Sequence, residues 1–154
     1  MGNKVIGIIP ARMKASRFPG KPLVKINGIP MIEHVFERAK MYKGWDKLII
    51  ATCDKEIKNF AKRKNYPCFL TSKKHKRALD RVYEAASKIR GLKKNDIVVC
   101  IQADEPLVYP KMLKNLILKI IKDKVDAAVA AMQIIHKKQF FDPNIVKIVH
   151  SKDG

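Results

Sequence analysis

Acidic residues are scarce in this chain: 14 Asp and Glu stand against 33 Lys and Arg in 154 residues, giving a formal net charge of +19 and a pI near 10.0. Such an excess favours polyanionic partners such as nucleotides, nucleic acid or acidic lipid, and says nothing about fold. Aromatics are sparse too, at 7%. No basic stretch is interleaved with Phe, Tyr or Trp, as a stacking platform for nucleic acid requires. Instead Lys58, Lys62, Lys64, Lys114, Lys119, Lys122 and Lys124 fall on the polar faces of segments whose other faces are apolar, the pattern of solvated helix surfaces. A lysine-rich solubilising surface and no specific nucleic-acid partner are expected. The three cysteines, Cys53, Cys68 and Cys100, are too few and too scattered for a disulfide framework or a zinc cluster, and read as reduced thiols. No apolar stretch approaches the roughly 20 residues that span a bilayer. The N-terminal Met1–Lys4 leads straight into an apolar run with no small-residue cleavage site. The expectation is a soluble, cytoplasmic chain with no membrane partner.

What is present is a hydrophobic share of 47%, which excludes disorder. The length suits one domain over residues 1–154, large enough to bury roughly 70% of its unfolded surface without staples. Lys4–Ile9 reads as a buried first strand, followed by an irregular basic loop over Pro10–Pro22. Leu23–Ile26 with Asn27-Gly28 predicts a short extended piece and a tight turn. Pro30 opens a helix with Ile32, Val35, Phe36 and Ala39 on one face, ending at Gly44. Lys47–Thr52 is a second strand, and Asp54 is placed to cap a helix carrying Ile57, Phe60 and Ala61 inward. Pro67–Leu70 is a third strand. Leu79, Val82, Tyr83, Ala86 and Ile89 make a helical stripe, Ile97–Gln102 a fourth strand, and Pro110 starts a helix with Leu113, Leu116, Ile117, Ile120 and Ile121 on its core side. Ala127–Ile135 and Val146–His150 read as two further strands. The final Ser151-Lys152-Asp153-Gly154 carries a hairpin-turn signal with no return strand after it. Strands alternating with helices predict an α/β three-layer sandwich with a mostly parallel sheet, in which ligands bind beyond the carboxyl ends of the strands.

The first loop reads Ile9-Pro10-Ala11-Arg12-Met13-Lys14-Ala15-Ser16-Arg17-Phe18-Pro19-Gly20-Lys21-Pro22-Leu23. It offers several cations and free backbone N–H groups at a place where phosphates commonly bind. An arginine can fork two phosphate oxygens while a lysine acts as a point charge. Taken alone, such a stretch is most commonly a solvated basic loop. In the same way, Asp104-Glu105-Pro106 taken alone reads as a turn or helix start.

The order of residues is more specific. This loop resembles the nucleotide-binding signature of the sugar-acid cytidylyltransferases, and most of all the CMP-Kdo synthetase family. The likeness continues through Leu23-Val24-Lys25-Ile26-Asn27-Gly28-Ile29-Pro30-Met31-Ile32-Glu33-His34-Val35, Ile50-Ala51-Thr52-Cys53-Asp54, Gln102-Ala103-Asp104-Glu105-Pro106 and Asp142-Pro143-Asn144-Ile145-Val146-Lys147. It covers essentially the whole chain but matches only the N-terminal portion of a family member. The resemblance implies a fold of the nucleotide-diphospho-sugar transferase type, truncated at the C-terminus. It also implies a reaction, in which the anomeric hydroxyl of a sugar acid (Kdo) attacks the α-phosphorus of CTP to give CMP-Kdo and pyrophosphate for lipopolysaccharide synthesis. Carried over by position, Pro10, Ala11, Arg12, Ser16, Lys21 and Gln102 would bind the nucleotide. Arg12 and Lys21 would offset charge on the leaving pyrophosphate, and Asp104 would hold Mg²⁺.

The chain also departs from the family. Ala78-Leu79 stands where the family has a Gly-Thr pair in the loop against the nucleotide base, so backbone freedom and a hydroxyl are lost. Ala, Leu and Arg favour helix, and the following helix is expected to begin early and absorb part of the loop. His75 and Arg81 fit the family equally as structural or as ligand-contacting residues. In the family the C-terminal part supplies a second metal-binding carboxylate, most sugar-acid contacts and much of the dimer interface. The partners implied are therefore CTP, a sugar acid, and a second copy or a complementing C-terminal part. A catalytically silent nucleotide-binding fragment or paralogue, and a CMP-sialate-type synthetase, are the alternative readings.

Overall fold

Every residue from Val5 to Ala11 is buried, and together they form strand β1. A strand can be apolar and hidden along its whole length only where layers cover both sheet faces. The computed structural model describes residues 2–14 and 18–149. Ser16 and the readings made on His150–Gly154 lie outside them. After β1 come a hairpin of Lys25–Ile26 (β2) and Ile29–Pro30 (β3), helix α1 (Met31–Lys40), strand β4 (Lys47–Thr52) and helix α2 (Lys55–Arg63). Strand β5 (Cys68–Leu70), helix α3 (Ala78–Ser87), strand β6 (Ile97–Cys100), helix α4 (Pro110–Asp123) and the short α5 (Lys137–Phe141) follow. The hairpin turns on Asn27 (φ 49°) and Gly28 (φ 81°), both left-handed as a two-residue hairpin loop demands.

Four parallel strands lie in the order β5-β4-β1-β6. Alternation along β1 and β4 sends Ile6, Ile8, Ile49 and Ala51 to one face, against Val82, Ala85, Ala86 and Ile89 of the α3 region. Ile9, Ala11, Leu48 and Ile50 point to the other face, against Ile32, Val35 and Phe36 of α1, Ile57 and Phe60 of α2, and Leu113 of α4. The result is the three-layer α/β sandwich with a parallel sheet that the sequence predicts. Successive strands are laid outward from β1 through β4 to β5, and then β6 is placed on the opposite side of β1. That reversal opens a crevice beyond the carboxyl ends of β1 and β6.

Three expectations are corrected. Ala127–Ile135 and Val146–Val149 form no strand; Met132 is 92% exposed and Val149 94%. Apolar, β-branched composition favours a strand only where a neighbour accepts its ladder and covers its face, and among the described residues neither segment has one. On α3, Leu79 and Tyr83 do not belong to the core stripe, and Tyr83 is 78% exposed. The buried face is Arg81, Val82, Ala85 and Ala86, whose two alanines suit the close approach to Ile6 and Ile8. On α4 only Leu113 and Ile117 are buried, and Ile121 is half exposed.

Candidate active site

The crevice at the strand reversal has a simple backbone cause. The β1–β6 ladder ends at the Ile8–Cys100 pair, and Ile101 then donates its N–H to Ile8 O at 2.9 Å. β1 nevertheless runs on to Ala11, paired on its other side with Thr52. Past Ile8 the two chains separate, and a cleft of about 250 Å³ opens between them. Pro10, Ala11, Arg12, Lys21 and Pro22 line one side, Gln102, Ala103 and Asp104 a second, and His75–Ala78 with Arg81 a third.

The basic loop after β1 is held at both ends. Met13 donates its N–H to Asp54 Oδ2 at 2.8 Å, tying the loop to the end of β4. Asp54 stands at the head of α2 as expected, but its carboxylate serves the loop and makes no side-chain cap on the helix. Gly20, at φ 74°, donates its N–H to Met13 O at 2.8 Å and so closes the loop through a left-handed residue that favours glycine. The next residue, Lys21, begins a single 3₁₀ turn whose Pro22 is buried. Lys21 Nζ is thereby delivered to Asp104 Oδ2, 2.7 Å away.

Period-two alternation continues past β6. Ile101 and Ala103 are buried, which turns Gln102 and Asp104 outward into the cleft. The Gln102 amide makes only a weak 3.8 Å contact with Cys100 Sγ. The loop is pinned from α1, where Arg38 Nε donates to Val108 O at 2.9 Å and its guanidinium lies 5.4 Å from the Tyr109 ring centre.

The third side comes from the segment that the sequence left ambiguous. Arg81 is 3% exposed and donates through Nη1 to Thr71 Oγ1 and to Ser72 O. Glu84 accepts from the Ser72 N–H at 2.8 Å, from Lys88 at 2.7 Å, and pairs with His75 Nε2. These donors hold the Glu84 carboxyl down at about 2, with Lys88 the largest influence. His75 and Arg81 therefore both line the cleft and fasten the loop. The helix begins at Ala78, so Ala78 and Leu79 are its first two residues. Lys76 and Arg77, not selected from the sequence, also reach the cleft. The available signal was an arginine on the core face of α3, which must have a buried partner and therefore draws the preceding loop inward.

Four of the residues singled out from the sequence, Arg12, Lys21, Gln102 and Asp104, meet here with Pro10 and Ala11. Asp104 is the one carboxylate on the cleft among the described residues, and no group of three or more potential metal ligands occurs among them. A lone, half-exposed carboxylate fits Mg²⁺, a hard cation that takes one or two carboxylates and completes its shell with phosphate and water. Cys68 and Cys100 are half-buried, and burial pushes both thiols up, Cys68 to about 11, so neither is a ready nucleophile. No helix among the described residues is long and apolar enough to cross a membrane.

A family model described as cytidylyltransferase matches residues 6–154. The 3-deoxy-manno-octulosonate cytidylyltransferase of Haemophilus influenzae is 40% identical over 147 residues, covering 96% of this chain and 57% of that protein. Its counterpart in Thermodesulfovibrio yellowstonii is 38% identical over 153 residues, covering 97% and 60%. Among solved structures, CMP:2-keto-3-deoxy-manno-octonic acid synthetase complexed with CTP superposes with a TM-score of 0.74 at 33% identity, covering 80% of this chain and 49% of that one. A 4-diphosphocytidyl-2C-methyl-D-erythritol synthase, at TM-score 0.62 and 19% identity over 76% of this chain and 54% of that one, shares the fold alone. The chain thus spans 57–60% of the length of these curated relatives. With the match running from β1 through every element that builds the cleft, the chain belongs to the cytidylyltransferase family.

Proposed function

We propose that this chain is the nucleotide-binding portion of a cytoplasmic cytidylyltransferase that activates a sugar acid, 3-deoxy-manno-octulosonate, with CTP. The observation that carries the reading is the meeting of Arg12, Lys21, Gln102 and Asp104 in one cleft at the strand reversal. Arg12 and Lys21 grip the triphosphate and offset the charge that grows on pyrophosphate as it leaves. Gln102 can both donate to and accept from the nucleotide. Asp104 would hold Mg²⁺, which supplies charge neutralisation at the phosphate oxygens. Lys21 and Asp104, paired with each other without ligand, would part on binding, the lysine to phosphate and the carboxylate to the cation. Placing the sugar hydroxyl in line with the α-phosphorus is a task for residues outside this cleft, in keeping with a chain that spans little more than half of its relatives.

The test has two stages. Calorimetric titration with CTP should show binding that Arg12→Ala weakens. A pyrophosphate-release assay with CTP, Mg²⁺ and Kdo should then show turnover once a separately expressed C-terminal portion of a family member is added. Binding without turnover in that complemented mixture would favour the silent nucleotide-binding reading, and absence of CTP binding would overturn both.

A further inference from the structure

We propose that Lys76 and Arg77 turn this cleft into a site that binds a phosphate chain without a divalent cation. The inference rests on reading the cleft as a nucleotide site, and goes beyond it in assigning two residues and a metal-independent mode. Five cationic residues line the cleft, Arg12, Lys21, Lys76, Arg77 and Arg81, against the lining carboxylate of Asp104 and that of Glu84, bonded to the lining His75. Five cations less two anions leave +3. An ionised triphosphate carries about four negative charges, one on each inner phosphate and close to two on the last. The protein alone therefore offsets most of the ligand's charge. Without Lys76 and Arg77 the balance would be +1, and a divalent cation would be needed to supply much of the remainder.

The placement of the two residues separates them from the lysines that coat the rest of the molecule. Lys58 and Lys62 are exposed on α2, whose Ile57, Phe60 and Ala61 are buried. Lys76 and Arg77 are exposed too, but sit on a loop fastened through Thr71, Ser72 and His75 to Arg81 and Glu84, and they line the same cleft as Arg12. The buried Arg81 fixes one positive charge in the wall behind them. In a concave site with protein walls, charges of one sign reinforce each other's potential toward a ligand more than they would on an open face. The exposed Lys21–Asp104 pair opens at little cost when phosphate arrives.

The experiment is calorimetric titration of the full chain with inorganic tripolyphosphate, first in a chelator and then in Mg²⁺. Three proteins are compared: the wild type, Lys76→Ser/Arg77→Ser, and a control of equal charge change on the solvated face of α2, Lys58→Ser/Lys62→Ser. Wild type and control should bind in chelator within about tenfold of their affinity in Mg²⁺. The cleft variant should lose at least about tenfold in chelator, as expected for lost charged hydrogen bonds, and regain most of that in Mg²⁺. Wild-type binding seen only with Mg²⁺, or a cleft variant that behaves like the control, would overturn the proposal. Competition with CTP keeps the two readings apart. If CTP displaces tripolyphosphate and the cleft variant is unaffected, the nucleotide reading stands and this inference falls. If tripolyphosphate binds as expected and CTP displaces none of it, the anion site stands and the nucleotide reading falls.

Discussion

Lys21 Nζ lies 2.7 Å from Asp104 Oδ2, joining the loop after β1 to the loop after β6 across the mouth of the cleft. Their side chains are 35% and 49% exposed, and exposed pairs of this kind contribute about 0–1 kcal/mol. The pair therefore adds little to stability. Asp104→Asn should shift the free energy of unfolding in urea by less than about 1 kcal/mol. It should also tighten tripolyphosphate binding in chelator, since a negative charge leaves the cleft, and remove most of any gain that Mg²⁺ brings. Weaker binding in chelator would show that Asp104 orders Lys21 for the ligand instead of competing with it.

Arg12 is exposed, and the strand before its loop is rigidly placed, so its removal should act on ligand binding with little effect on folding. Loss of a charged hydrogen bond costs about 1.5–3 kcal/mol. Arg12→Ala should accordingly weaken CTP binding by about one to two orders of magnitude. Wild-type affinity should fall as salt is raised, because screening acts strongly on exposed charges. Equal titration curves for wild type and Arg12→Ala would remove this loop from the site.

Glu84 gives a pH dependence with a definite sign. Its carboxyl is held at about 2 by Lys88, the Ser72 amide and His75, below the value of 4.5 for an unperturbed group. The folded state therefore binds this proton less readily than the unfolded state. The associated stability is present in full above about pH 4.5 and is lost as pH falls toward 2. Urea midpoints measured at neutral pH and near pH 3 should differ more for the wild type than for Glu84→Gln. Parallel losses in the two proteins would show that the carboxylate is not selectively held in the native loop.

Much of this site was legible in the sequence because its signals are local. Proline and glycine punctuate the loop after β1, and alternation after β6 sends Ile101 and Ala103 inward and Gln102 and Asp104 outward. The bounds Lys47–Thr52 agree between sequence and structure, since the apolar run Leu48–Ala51 between turn signals leaves little choice of boundary. Tertiary features were less visible. The stripe on α3 could not be told from its neighbours until Ala85 and Ala86 met Ile6 and Ile8, and Arg81 occupies a core-face position that periodicity assigns to an apolar residue. Ala127–Ile135 carries strand-like composition, but composition does not specify a hydrogen-bonding neighbour. Lys76 and Arg77 escaped notice because, in a chain with 33 basic residues, charge alone cannot separate a cleft from a solvated face.

Base selectivity should be poor. Discriminating CTP from UTP requires buried polar groups that the wrong base leaves unpaired. The cleft's third side carries Ala78, and Leu79 beside it is exposed and offers no hydroxyl. Arg81 in the same wall only donates hydrogen bonds, so it cannot pair with the cytosine amino group. Affinities for CTP and UTP should lie within about a hundredfold of each other, and Ala78→Gly/Leu79→Thr should widen the gap. A wild-type preference beyond that range would mean that Gln102 or the backbone reads the base unaided.

The 154-residue chain by itself should not form a CMP-sugar at a useful rate. On the proposed reading the cleft holds the triphosphate, but reaction also needs the sugar hydroxyl in line with the α-phosphorus. Proximity and orientation supply about 7–11 kcal/mol of a typical barrier, and the chain covers 57% of a relative of like sequence. The segment after α4 tells the same story from the packing side. Met132, Phe141, Val146 and Val149 stand exposed with no sheet partner among the described residues, an apolar surface suited to being covered by more protein. A pyrophosphate-release assay with CTP, Mg²⁺ and Kdo should give no signal above background for the chain alone, and gel filtration should show it self-associating. Adding a C-terminal portion of a family member should restore turnover and reduce self-association together, because one docking event would serve both. Turnover near about one per second by the chain alone, within the ordinary range for enzymes and abolished by Asp104→Asn, would refute this and make the short form a complete catalyst.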